Sequence, residues 1–163
     1  MSQPVDHTVH PKSVRRIGGA DQATVLASLS DMRAGIAPIA VTEYQARIEK
    51  ACALMRQQNV AALYLNAGSS LLYFTGTRWY ASERLVGAVL TADGVLKYIA
   101  PVFEIGTLGE YQQIKAEVVG WEEDESPYQL LLDTLKTLGV PAEARVGLDE
   151  STAFFIVDAL QQL

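Results

Sequence analysis

Residues 63–90, LYLNAGSSLLYFTGTRWYASERLVGAVL, decide the fold. Two apolar runs, Val60 to Leu65 and Leu85 to Leu90, show almost no polar alternation, as expected of strands covered on both faces. Between them, Ser69 to Phe74 has the spacing of a short helix. From Gly76 to Leu85 the character changes: Thr77, Arg78, Trp79, Tyr80, Ser82, Glu83 and Arg84 put two large aromatics and two guanidinium groups on a loop. These residue types dominate recognition surfaces, so this loop is the first candidate for function.

Upstream, Thr42 with Gln45 three residues later predicts a capping box, and Tyr44, Ile48, Ala51, Cys52 and Met55 make the inward face of a helix ending near Asn59. On that face Cys52 is a core residue, because a thiol there behaves as a small hydrophobe. Farther upstream, Val25, Leu26, Leu29 and Met32 predict a short amphipathic helix from near Asp21, broken at Gly35 to Pro38. Residues 1–20 lack periodicity and read as a flexible arm, in which His7 and His10 are solvated.

Downstream, Ala92-Asp93-Gly94 supplies the turn that folds the second run back onto Val95 to Ala100 as a hairpin. A weaker helical stretch from Phe103 to Gln113 leads to a strand at Glu117 to Trp121. The run Glu122-Glu123-Asp124-Glu125 directly precedes Ser126-Pro127, a cap followed by a first-turn proline, so the acids complement a helix dipole rather than form a metal site. That helix turns Tyr128, Leu131, Leu132, Leu135 and Leu138 inward and stops at Gly139. Arg145 to Leu148 is a narrow strand, and Ser151 opens a last helix with Phe155, Ile156, Ala159, Leu160 and Leu163 on its buried side. The apolar pattern has not run down at Leu163, which predicts a longer parent chain. The sum is an α/β domain over residues 21–163, three layers (α/β/α) around a mixed sheet of about five strands.

Composition excludes several classes. A chain of 163 residues with 49% hydrophobic content forms one domain. Net charge of -6, with Lys and Arg scattered, argues against a nucleic-acid partner. One cysteine cannot make an intrachain disulfide, and there is no leader-like or membrane-length apolar run, so a cytoplasmic protein without a membrane partner is expected. GxGxxG, P-loop, HExxH, GxSxG and CxxC motifs are missing. Gly68-Ser69-Ser70 lacks a histidine base, and neither a catalytic residue nor a metal ligand is assigned to this chain.

Residues 42–160 resemble the N-terminal domain of the creatinase/prolidase peptidases, the family of Xaa-Pro aminopeptidases and dipeptidases. The resemblance is carried by Glu43-Tyr44, Arg47-Ile48, Ala62 to Asn66, Tyr73-Phe74-Thr75-Gly76, Ser82-Glu83-Arg84, Ile99-Ala100-Pro101, Phe103-Glu104 and Gly147-Leu148-Asp149-Glu150. It implies a ribonuclease H-like fold and a non-catalytic domain that shapes the substrate pocket and the dimer. Catalysis would belong to a C-terminal pita-bread domain absent here, which holds two divalent ions, manganese, cobalt or zinc. The implied partners are that domain, a second copy and a proline-containing peptide. Arg84 resembles a residue that reaches the partner subunit's substrate, with Arg78, Trp79 and Tyr80 beside it. Two alternatives share the architecture: creatine amidinohydrolase, which the Thr77 to Tyr80 loop resembles less, and a peptide-binding module without catalysis, as in a histone chaperone subunit.

Overall fold

The computed structural model describes residues 16–163. The expectations for His7, His10 and the rest of residues 1–15 lie outside the described residues. The chain divides into two compact units at Pro38.

In the first unit, strands β1 (Arg16–Ile17) and β2 (Ala20–Asp21) pair antiparallel. Gly18 and Gly19 join them at φ +55° and +87°, the pair of positive values that a tight two-residue hairpin requires. Sequence periodicity gives these residues no element, because two-residue strands have no period to show. Helix α1 (Gln22–Ser28) starts where expected, with Asp21 accepting from the Thr24 backbone N–H at 3.0 Å. Its apolar face is not buried as expected. Leu29 is already extended at the C-cap, so Met32, 86% exposed, never joins the helix.

The second unit, Ile39–Leu163, carries α2 (Val41–Gln57), β3 (Ala62–Asn66), α3 (Ser69–Thr75), β4 (Gly87–Thr91) and β5 (Leu96–Pro101). A short 3-10 turn leads into α4 (Ile105–Tyr111), followed by β6 (Val118–Trp121), α5 (Pro127–Thr137), β7 (Val146–Leu148) and α6 (Phe154–Gln162). The sheet order is β6-β5-β4-β3-β7. β4 runs antiparallel to both neighbours, while β6 and β7 pair parallel at the edges. This is the expected mixed sheet of five strands.

Strand alternation sorts the core into two layers. Leu65, Ala88, Leu90, Tyr98 and Ala100 face Ala51, Cys52 and Met55 of α2, Leu71 of α3 and Leu108 of α4. Tyr64, Val89 and Ile99 point the other way, onto Leu131 and Leu135 of α5 and Ile156 of α6. Both faces are therefore covered, which is why the strands read as nearly continuous apolar runs. Burying each leucine contributes about 1.5–3 kcal/mol, so these layers hold the sheet. Gly87 is fixed by close approach: a Cβ there would lie 2.5 Å from the Leu65 carbonyl oxygen and 2.7 Å from the Tyr64 ring.

Two helix starts differ from the sequence reading. The N-cap of α2 is Ala40, and Thr42 lies inside the first turn, so no capping box forms. Glu43 instead pairs with Arg47 one turn later. α6 begins after Ala153, because Ser151 spends its N–H and hydroxyl on Asp149 at 2.7 and 2.5 Å. Ile156 is buried and Leu160 packs against the core as expected, but Phe155 is 47% exposed and Leu163, beyond the helix end, 63%.

Candidate functional site

The loop from Thr77 to Arg84 is tied to the sheet at both ends. Thr77 is fully buried, and its hydroxyl meets the Tyr98 hydroxyl at 3.0 Å. Tyr98 in turn donates to the Ile114 carbonyl at 2.8 Å, and burial pushes its phenol pKa up, keeping it a protonated donor. At the other end, Leu85 and Val86 are buried, and the Trp121 indole N–H donates to the Leu85 carbonyl at 3.1 Å. Gly76 opens the loop at φ +70°, with room for no side chain between Tyr44 and Gln113.

The sequence placed Trp79, Tyr80, Arg78 and Arg84 together on an open loop, and the structure divides them. Trp79 is half-buried, packs against the core and meets Tyr111 edge-on at 6.3 Å between ring centroids. Arg84 sits over the Phe103 ring at 5.7 Å and pairs with Glu83 and Glu123, both at 2.8 Å. The bond to Glu123 is the main cause of its raised pKa, and the charge of Glu104 adds to it. One buried oxygen of Glu104 has no hydrogen-bond partner among the described residues. Three carboxylates thus crowd one guanidinium. Arg78 and Tyr80 are exposed, Tyr80 at 81%, and among the described residues Arg78 makes no ion pair or hydrogen bond.

The other residues that carry the family resemblance mostly brace the frame. Arg47 clasps α2 to α3: its guanidinium stacks on Tyr73 at 4.3 Å, donates to the Tyr73 carbonyl at 2.8 Å and pairs with Glu43. Where β7 ends, Asp149 replaces it as acceptor for the Asn66 N–H at 2.7 Å. Gly147 brings β7 against Leu63. Sequence reasoning missed Tyr98, Trp121 and Glu123 as supports of the loop. The available signal was that a buried Tyr or Trp needs a partner for its polar tip.

Cys52 is buried, and burial pushes its thiol pKa up, which makes it an unreactive core residue. No group of three or more His, Cys, Asp or Glu able to hold an ion occurs among the described residues. Glu122 and Glu125 close on each other, since the Glu122 N–H donates to the Glu125 carboxylate at 2.9 Å, while Glu123 holds Arg84. These side chains do not fit a dinuclear metal centre. No described helix is long and apolar enough to cross a membrane.

Comparison with known proteins gives a consistent picture. Residues 47–163 match the creatinase/prolidase N-terminal domain family. The fold superposes on the dipeptidase PepE of Mycobacterium ulcerans with a TM-score of 0.65 and 28% identity, over 77% of this chain and 34% of that one. It also matches the N-terminal domain of an Xaa-Pro dipeptidase from Lactobacillus brevis, TM-score 0.64 at 22% identity, over 71% and 86% of the two chains. An uncharacterized peptidase of Schizosaccharomyces pombe is 29% identical over 133 residues, which are 73% of this chain and 28% of that protein. The chain thus spans about a third of the length of the peptidases that head these matches.

Proposed function

We propose, from the premise that this chain belongs to the creatinase/prolidase N-terminal domain family, that it is the non-catalytic N-terminal domain of a metal-dependent Xaa-Pro peptidase. In this reading it shapes the substrate pocket and the homodimer of a cytoplasmic enzyme. Two divalent ions, manganese, cobalt or zinc, would be held by the C-terminal domain and would activate the attacking water. Within the 78–84 loop, Arg78 and Tyr80 are the side chains open to substrate, while Trp79, packed on Tyr111, and Arg84, paired with Glu83 and Glu123, would support them.

The observation that carries the reading is the loop itself. Its ends are pinned by buried hydrogen bonds from two strands, yet its middle presents an arginine and a tyrosine to solvent. Exposed as they are, these side chains add little to the fold's own stability, and in the proposed assembly they would give a neighbouring active site a positioned donor.

The test is hydrolysis of an Xaa-Pro dipeptide such as Ala-Pro with manganese, by this chain alone and by the chain joined to its C-terminal domain. Turnover only by the joined protein is expected. Metal-dependent turnover by this chain alone would contradict the proposal, as would a joined protein that binds Ala-Pro but never cleaves it.

A further inference from the structure

We infer that the cavity between α2, the turn after β4 and residues 114–116 is a binding site for a short zwitterionic peptide of two apolar residues. It lies at the other end of β4 from the 78–84 loop, which enters the strand at Gly87 while this turn leaves it at Thr91, and it does not depend on the reading of that loop.

Size and lining are the first ground. The cavity has a volume of about 610 Å3, inside the range of about 300–1,000 Å3 that small-ligand pockets occupy. Ile48, Leu96 and Ala116 pack on the core beside the buried Cys52 and give it an apolar floor, to which Ile114 adds. Glu49, Arg56, Asp93 and Lys115, all exposed, form its rim. Burial dominates the raised pKa of Cys52, but the charges of Arg56, Asp93 and Glu49 also act on the thiol, so groups of both signs converge on the floor.

Availability of these charges is the second ground. Arg56 donates to the Ala92 carbonyl through one nitrogen, and Lys115 donates to the Gly109 carbonyl at 2.7 Å. These contacts position the two cations without neutralising them, and among the described residues neither is in an ion pair. Glu49 has no ion-pair partner there either, while Asp93 accepts from the Thr91 hydroxyl inside its own turn.

Charge and spacing set the ligand class. Two acids and two bases sum to zero, which favours a net-neutral ligand over a dianion, and the apolar floor favours apolar side chains. Glu49 and Arg56 rise from α2 two turns apart, about 10.5 Å along the axis. A dipeptide spans at most about 7 Å, so with a hydrogen bond at each end its ammonium reaches Glu49 and its carboxylate reaches Arg56. The two charges of a single amino acid are too close together to do so.

The test is a titration of the isotopically labelled chain with Leu-Leu, its N-acetyl and C-amide derivatives, leucine and succinate, following the amides of Gly94, Leu96 and Ala116 and the methyls of Ile48 and Ile114. Leu-Leu should give saturable shifts at these positions, and each capped derivative should bind about tenfold more weakly, because it lacks one charged hydrogen bond. Glu49→Gln should make free and acetylated peptide bind alike, and Arg56→Gln should make acid and amide bind alike. Both side chains are exposed, so resonances away from the cavity should stay in place and report an intact fold. Leucine or succinate binding as tightly as Leu-Leu, capped peptides binding as tightly as the free one, or cavity resonances unmoved by any of these probes would overturn the inference.

Discussion

Strand β4 is entered and left by two connections of opposite kind. The turn after it closes on itself: the Thr91 hydroxyl donates to Asp93 and accepts from the Val95 N–H at 3.0 Å, while the Gly94 N–H returns to the Thr91 carbonyl at 3.0 Å. Arg56 covers the remaining Ala92 carbonyl. The loop before β4 is anchored as firmly at Thr77 and Leu85, but leaves Arg78 and Tyr80 open. A connection that uses its polar groups locally is structural. One that holds its ends rigid and leaves its charged tip unused fits the proposed role as a contact for something outside it.

That contrast can be broken by substitution. The largest effect belongs to the strand beneath both connections: Leu90→Ala should cost about 2–5 kcal/mol in denaturant unfolding, since Leu90 is fully buried. Tyr80→Ala should stay within about 0.5 kcal/mol of the wild type. A comparable loss at Tyr80 would mean that the loop tip supports the fold after all. Next, Trp121→Phe removes the donor to the buried Leu85 carbonyl and should cost about 1–3 kcal/mol. It also leaves Trp79 as the sole tryptophan, so its fluorescence should show the loop becoming more mobile. Unchanged anisotropy would show that the pin is dispensable.

In the turn, Gly94 has φ +94°, and Gly94→Ala should cost about 1–2 kcal/mol in the same assay. A neutral outcome would show that the turn relaxes. The smallest effect is on pH. Burial raises the pKa of Cys52, Tyr98 and Tyr64, the last with a further push from the Asp149 charge. Because the folded state favours the neutral forms, their contribution is complete below the unfolded-state values, about 8.5 for Cys and 10 for Tyr, and is lost as pH rises above them. Denaturation midpoints should therefore hold to about pH 8 and fall toward pH 11, less steeply in Tyr64→Phe. A flat profile would contradict the burial of these groups.

What could be read from the sequence was what local chemistry determines. Continuous apolar runs gave the inner strands, Gly94 gave the turn, and Ser126 caps α5 as expected, accepting from the Gln129 N–H at 3.3 Å. Local signals failed where a partner outside the assumed pattern competed, whether two residues away or far along the chain. Ser151 is captured by Asp149, so it does not cap α6. Arg84 looks available until Glu123, 39 residues away, is brought beside it. Trp79 likewise reads as exposed because nothing near it in sequence announces Tyr111. The loop was found for its composition; which of its residues remain free depended on pairings no sequence window contains.

The central claim, that the loop tip serves an active site rather than its own fold, is tested most directly by steady-state kinetics on an Xaa-Pro dipeptide. The full-length peptidase would carry Arg78→Ala and Tyr80→Ala together. Both side chains are exposed, so the melting temperature should not move, while kcat/KM should fall by about ten- to a hundredfold through loss of a charged hydrogen bond and an aromatic contact. Unchanged stability together with unchanged kcat/KM would contradict it.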